Sequence, residues 1–186
     1  DDEFTLSIWA RRPQAAVEVL VSIAPYAPTV HLLDRKLPHR AVPTSFCMGL
    51  RKHLEDGIIQ DVEQAGLERV VVFRVRPAVA GGGERRLVIE LMERRSNIVL
   101  VSADGNIIDA MKKVRADVNR YREIMPGASY VPPPPPAKAD PLATDRNGFL
   151  AALAAAAGRL ERWLVDAFFG VSPLVAAEVT ARADLE

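Results

Sequence analysis

The chain has 186 residues, 49% of them hydrophobic, with Lys and Arg balancing Asp and Glu at 24 each. That length allows one sizeable core and a small second domain, since domains commonly hold roughly 100–150 residues, and apolar runs such as Val70-Val71-Val72-Phe73 fall far short of the ~20 residues a membrane helix needs, so no membrane partner is expected. A net charge of zero excludes a uniformly basic nucleic-acid binder, so any RNA contact has to be local, and the single cysteine, Cys47, excludes an intramolecular disulfide and a thiolate-rich zinc site.

The chain opens on Asp1-Asp2-Glu3 without an initiating Met or a basic-then-apolar leader, and the expectation is a truncated N-terminus and a cytoplasmic location. Phe4, Leu6 and Ile8 alternate with small or polar residues, and Val17, Val19, Val21 and Ile23 do the same beyond Arg11-Arg12-Pro13-Gln14, the period-two pattern of a hairpin. Residues 29–33 add a third strand, and Pro25, Pro28, Pro38 and Pro43 fall in connections because proline cannot donate to a ladder. After Pro43, Phe46, Leu50 and Leu54 lie four apart, as one stripe of a helix from about Thr44 to Asp56 that Gly57 stops.

Residues 58–64, 68–76, 86–92 and 97–101 read as a β meander with turns at Gly66 and Gly81-Gly82-Gly83. Asp104-Gly105 closes a hairpin onto residues 106–109, because this pair tolerates the positive φ of a two-residue loop. Pro126-Gly127, Tyr130 and the prolines at 132–136 mark a boundary, since such a run is extended polyproline. Beyond it, Phe149, Leu150, Leu153, Leu160, Leu164 and Phe168 supply the apolar positions of two helices interrupted near Gly158. The expected organisation is a β-rich domain over residues 1–130, a proline-rich linker over 131–143 and a helical region over 144–186.

Basic residues cluster at Arg11-Arg12, residues 35–40, Arg51-Lys52-His53, residues 74–86, Arg94-Arg95 and residues 112–122. Each cluster reads either as a local RNA contact or as solvated surface. Near the C-terminus, Phe168-Phe169-Gly170-Val171-Ser172-Pro173 sets a glycine turn between two helical patterns and looks like a helix-hairpin-helix. With Gly170 in the turn, Ser172 as N-cap and Pro173 at the first helical position, the free amides can hold a phosphate; the alternative is an ordinary corner whose glycine permits a left-handed turn.

His31, His39 and His53 have no helical metal-ligand spacing, and no Gly-x-Ser-x-Gly elbow occurs. Cys47 sits in an apolar helix pattern, and the triple glycine lacks the Lys and Ser/Thr of a phosphate loop. No catalytic residue, metal, cofactor or small-molecule substrate is therefore expected, and the chain reads as a binding protein rather than an enzyme.

Taken together, Phe46-Cys47-Met48-Gly49-Leu50-Arg51-Lys52-His53-Leu54-Glu55, Gln64-Ala65-Gly66-Leu67-Glu68-Arg69-Val70-Val71, Ser96-Asn97-Ile98-Val99-Leu100-Val101 and Asn119-Arg120-Tyr121-Arg122-Glu123-Ile124-Met125-Pro126-Gly127, with Tyr130 and the prolines, resemble the NFACT family. The resemblance spans nearly the whole chain and implies an α+β fold. Its first part would be a mainly antiparallel β domain with a packed helix, similar to the N-terminal domain of Fpg/MutM-type DNA glycosylases, followed by a small α-helical helix-hairpin-helix domain.

It further implies a ribosome quality-control factor whose partners are tRNA and the large ribosomal subunit carrying an obstructed nascent chain. Such factors direct a C-terminal tail, alanine in bacteria, without mRNA, while the ribosome makes the peptide bond. The family's Asp-Arg pair, needed for tailing, falls at Glu68-Arg69, which keeps the carboxylate and the arginine. Arg51, Lys52, Ser96, Asn97, Arg120 and Arg122 are the other expected tRNA contacts. An arginine can grip phosphate or stack on a base, and a neighbouring carboxylate can orient it; a solvated salt bridge at a strand end is the competing account.

The chain departs from the family where Gly-Arg/Lys-His-Ser-Asn becomes Glu93-Arg94-Arg95-Ser96-Asn97 and where Tyr-Ser-Arg becomes Tyr26-Ala27-Pro28. A glycosylase or nuclease activity would need an N-terminal proline, an acidic partner and a zinc-finger cysteine set, which this sequence lacks. An extracellular fibronectin-binding adhesin would need a secretion signal or wall anchor.

Overall fold

Alternating apolar residues produce strands β1 (Thr5–Arg11) and β2 (Ala16–Ser22), which pair antiparallel with Leu6 opposite Val21 and Ile8 opposite Val19. Strand β3 (Thr29–Leu33) adds to the other side of β2 and completes a three-stranded sheet. In this computed structural model residues 4–11, 13, 15–34, 42–79, 83–135 and 137–183 are described. Arg12, the basic cluster at 35–40, Gly81 and Gly82 lie outside the described residues.

Helix α1 (Ser45–Leu54) starts where the Thr44 hydroxyl accepts the Cys47 N–H at 3.2 Å, a cap that satisfies one of the orphan amides of the first turn. Its Phe46–Leu50 stripe is buried. The helix ends differently from the sequence expectation, because the left-handed position is taken by Asp56 at φ 58°. Gly57 is needed for space instead: a Cβ there would stand 2.8 Å from the Leu54 carbonyl oxygen and 2.9 Å from the Val75 side chain.

The meander follows as β4 (Ile58–Gln64), β5 (Val70–Arg76), β6 (Arg85–Glu90), β7 (Asn97–Val101) and β8 (Ile107–Ala110), a five-stranded antiparallel sheet in chain order. Successive side chains on a strand point to opposite faces, and here both faces are covered. Phe73, Val75, Leu87, Ile89, Ile98 and Leu100 form one core with α1, with Val19 and Val21 of the first sheet and with Ile23 just beyond β2. Val88, Val99, Val101 and Ile107 form a second core with Ile124, Ala128 and Tyr130. The segment that builds this second layer has no apolar period of its own; it is tied down by reciprocal backbone bonds between Val114 and Ile124 and by bonds from Gly127, Ile107 and Tyr130.

The chain divides into two compact units, Asp1–Pro132 and Pro133–Glu186. The second holds α2 (Arg146–Ala154), capped by Asp145, then α3 (Leu160–Ala167) and α4 (Pro173–Ala183). Gly158, at φ 85°, turns the chain between α2 and α3. The core of this unit is a triangle of Phe149, Trp163 and Phe168 rings with centroids 5.5, 5.8 and 5.7 Å apart. Ala139, in the proline-rich stretch over 131–143, donates to the Ala167 carbonyl and accepts from Phe169. Among the described residues no helix is long and apolar enough to cross a membrane.

Candidate functional site

Register decides which of the sequence-selected residues meet. Gln64 stands opposite Val71, Val70 opposite Glu90 and Glu90 opposite Asn97, and Asn97 is bonded on both sides to the backbone of Lys112. The turn at 64–69, the turn at 91–96 and the chain leaving β8 therefore share one end of the five-stranded sheet.

Glu68 and Arg69 form the last part of the first of these turns. Gly66 takes a φ of 53°, the Glu68 N–H donates to the Ala65 carbonyl at 2.9 Å, and the Gln64 side-chain amide donates to the Glu68 carbonyl at 2.8 Å. The Arg69 carbonyl accepts the Leu91 N–H at 2.8 Å and so locks this turn to the next one. Arg69 is exposed and Glu68 half-buried, and neither is in an ion pair among the described residues. The solvated salt bridge is thus not what the pair forms.

The turn at 91–96 contains a short 3-10 stretch, Glu93–Arg95, that projects Arg94 and Arg95 into solvent. Glu93 has a φ of 50°, the left-handed region that glycine occupies freely and other residues enter at a cost. Exposed Arg115 and Arg120 lie on the loop 115–123, which continues beyond Lys112 at the same end. Among the described residues Arg69, Arg94, Arg95, Arg115 and Arg120 have no carboxylate partner. A local cationic surface of this kind is what a chain of zero net charge needs to hold a polyanion. Lys112, just inside it, sits over the Phe4 ring at 5.1 Å, and burial lowers its pKa.

Three of the expected contacts have side chains turned inward. The Ser96 hydroxyl accepts the Met92 N–H at 2.7 Å and shapes the turn from within. Asn97 is buried, its Oδ1 accepting from Lys112 and Ile98 and its Nδ2 donating to the Lys112 carbonyl. Arg122 is 8% exposed and Glu90, its partner, 0%; the guanidinium donates to both carboxylate oxygens at 2.6 and 2.5 Å and to the Val131 carbonyl at 3.1 Å. The Tyr130 hydroxyl donates to Glu90 at 2.8 Å.

Burial opposes the charge on Arg122, and the Glu90 carboxylate outweighs it, so its pKa is raised. Burial, then the Glu90 charge, pushes the Tyr130 hydroxyl well above its ordinary range. Arg122 cannot reach a phosphate while it neutralises a buried carboxylate; it supports the site from below. A lone Glu90 inside the apolar run Leu87-Val88-Ile89-Glu90-Leu91-Met92 is the sequence signal of this pair, since a buried carboxylate demands a cation.

Arg51 and Lys52 lie elsewhere. Helix α1 runs into Gly57 beside Val75 and Arg76, at the opposite end of the sheet. There burial, then the charges of Arg85 and Lys52, lowers the pKa of His53. A seven-residue strand spans about 20 Å, so these two residues do not share a contact with Arg69.

Gly170 takes a φ of 76° between α3 and α4, as the glycine turn predicts. The Ser172 hydroxyl accepts the Val175 N–H at 3.2 Å and its carbonyl the Ala176 N–H at 2.9 Å. Pro173 has no N–H, so of the first helical amides only that of Leu174 is left for an outside acceptor. The αα corner is formed, but its capacity for phosphate is small.

Residues 1–186 match a family described as NFACT N-terminal and middle domains. The chain is 40% identical over 171 residues to "Rqc2 homolog RqcH" of Bacillus subtilis (strain 168), covering 90% of this chain and 30% of that protein. It is 31% identical over 83 residues to "Ribosome quality control complex subunit NEMF" of Mus musculus, covering 45% of this chain and 7% of that protein. Among solved structures, the N-terminal domain of fibronectin-binding protein PavA from Streptococcus pneumoniae matches with a TM-score of 0.86 and 26% identity, over 99% of this chain and 71% of that one.

Proposed function

This chain belongs to the NFACT family, and from that premise we propose that it is the tRNA-binding and large-ribosomal-subunit-binding module of a cytoplasmic ribosome quality-control factor. The factor would direct mRNA-independent C-terminal alanine tailing of obstructed nascent chains, with the module acting as a binder and the ribosome making the bond. One observation carries the reading: Arg69, the family's tailing arginine by resemblance, is exposed without a carboxylate partner among the described residues, at a sheet end where Arg94, Arg95, Arg115 and Arg120 are likewise unpaired. Uncommitted guanidinium groups suit phosphate and exposed bases, because they offer a planar fork of donors and a stacking face.

Arg69→Ala is expected to weaken tRNA binding about tenfold, corresponding to the 1–3 kcal/mol of a well-formed arginine contact, as measured by anisotropy across a salt series. Wild-type affinity should fall steeply with salt, since each neutralised phosphate releases counterions. Unchanged binding by Arg69→Ala, with loss in an Arg51→Ala, Lys52→Ala double variant, would move the site to the opposite sheet end. The fibronectin-binding name belongs to PavA; were this chain an adhesin instead, it would bind immobilised fibronectin and ignore tRNA.

A further inference from the structure

The loop 115–123 carries an aromatic side chain that the preceding reading leaves unused. Tyr121 is 56% exposed and stacks on no other ring among the described residues. Its backbone, by contrast, is held firmly. The Arg115 carbonyl accepts from Val118 and Asn119 at 3.1 Å each, and the Asn119 side-chain oxygen accepts the Tyr121 N–H at 3.0 Å and the Arg122 N–H at 3.4 Å.

The loop is closed below by the paired Val114–Ile124 backbone bonds of 2.9 and 2.7 Å. One residue beyond Tyr121, Arg122 is clamped on Glu90, which stands opposite Val70, the neighbour of Arg69. A large ring is thus presented to solvent on an ordered loop, with exposed Arg120 beside it in sequence and exposed Arg94 and Arg95 on the next turn of the same sheet end.

Ordering a loop on binding costs affinity, and a loop already ordered by folding avoids that cost. An aromatic ring held out among cations is the arrangement proteins use for unpaired nucleotides, with bases stacking on the ring and phosphates meeting the guanidinium groups. We infer that Tyr121 and Arg120 form a base-stacking and phosphate contact for an unpaired nucleotide of RNA, extending the Arg69 site; the inference rests on the RNA-binding reading above. It favours RNA with accessible bases over uninterrupted duplex, because paired bases hide their faces.

The test compares anisotropy of labelled tRNA, a single-stranded oligouridylate and a blunt RNA duplex of equal length on wild type, Tyr121→Ala, Tyr121→Phe and Arg120→Ala. Tyr121→Ala should lose about tenfold in affinity for tRNA and oligouridylate, the usual size of one lost stack, while its salt slope and urea midpoint stay at wild-type values. Tyr121→Phe should bind as wild type, because the ring and not the hydroxyl does the stacking. Arg120→Ala should flatten the salt slope by about one phosphate contact, ~0.7 on single strands.

Wild-type affinity in Tyr121→Ala while Arg69→Ala is impaired would overturn the stacking contact and leave the RNA-binding reading standing. Equal weakening by Phe and Ala would also overturn it, by assigning the role to the hydroxyl. Absence of RNA binding by the wild-type protein would remove both.

Discussion

Glu93 stands at φ 50°, where the family pattern that this chain resembles has glycine. The left-handed conformation crowds its Cβ against the following carbonyl, a cost of roughly 1–2 kcal/mol partly offset by the freedom a glycine would lose on folding. Glu93→Gly is therefore expected to stabilise the protein by about 1 kcal/mol, read as a higher urea midpoint with an unchanged slope. The same change removes a carboxylate from beside Arg94 and Arg95, so RNA affinity should rise rather than fall. At this scale the sequence was informative in one direction only: the lost glycine was visible as a departure, but its consequence needed the φ angle. Ser96 and Asn97 show the converse, because polar residues beside an arginine pair look like contacts until their hydrogen bonds are seen to point inward.

At the scale of elements, the Glu90–Arg122 pair fastens the otherwise patternless chain after β8 onto the sheet, and Tyr130 completes the clamp. Arg122→Ala leaves Glu90 buried and uncompensated, which is expected to cost about 3–5 kcal/mol, read by urea denaturation. A Glu90→Leu, Arg122→Met double variant should recover part of that loss, because an apolar pair of similar volume avoids the desolvation of both charges while the Tyr130 hydroxyl loses its acceptor. If the single and double variants were equally unstable, packing rather than charge compensation would be the source. Strands and helices were legible because their signals are local: alternation gave β1 and β2, glycine turns bounded the meander, Asp104-Gly105 placed β8, and the four-residue stripe gave α1. The layer built by residues 111–130 was not, since its order comes from partners far away in sequence, as in the bond between Tyr130 and Glu90.

At the scale of the molecule, each unit has its own core, and the helical one depends on few residues. Phe168 is 3% exposed and touches both Phe149 and Trp163. Phe168→Ala should cost about 3–5 kcal/mol, enough to abolish tertiary structure in a unit of residues 133–186, since small cores have little stability in reserve. Trp163 fluorescence reports the loss directly, with Trp9 in β1 marking the other unit; a native Trp163 spectrum in the variant would show that the ring triangle is dispensable.

The sequence by itself determined the family and most strands and helices, and it singled out the pair Glu68-Arg69, because these are written in contiguous residues. Only the tertiary structure decided that Arg94, Arg95, Arg115, Arg120 and Tyr121 are exposed toward the sheet end that carries Arg69, that Arg51 and Lys52 stand toward the other end, and that Arg122 serves the core. The reason is register. Which ends of strands meet is fixed by the summed fit of both buried faces, a property no single segment carries.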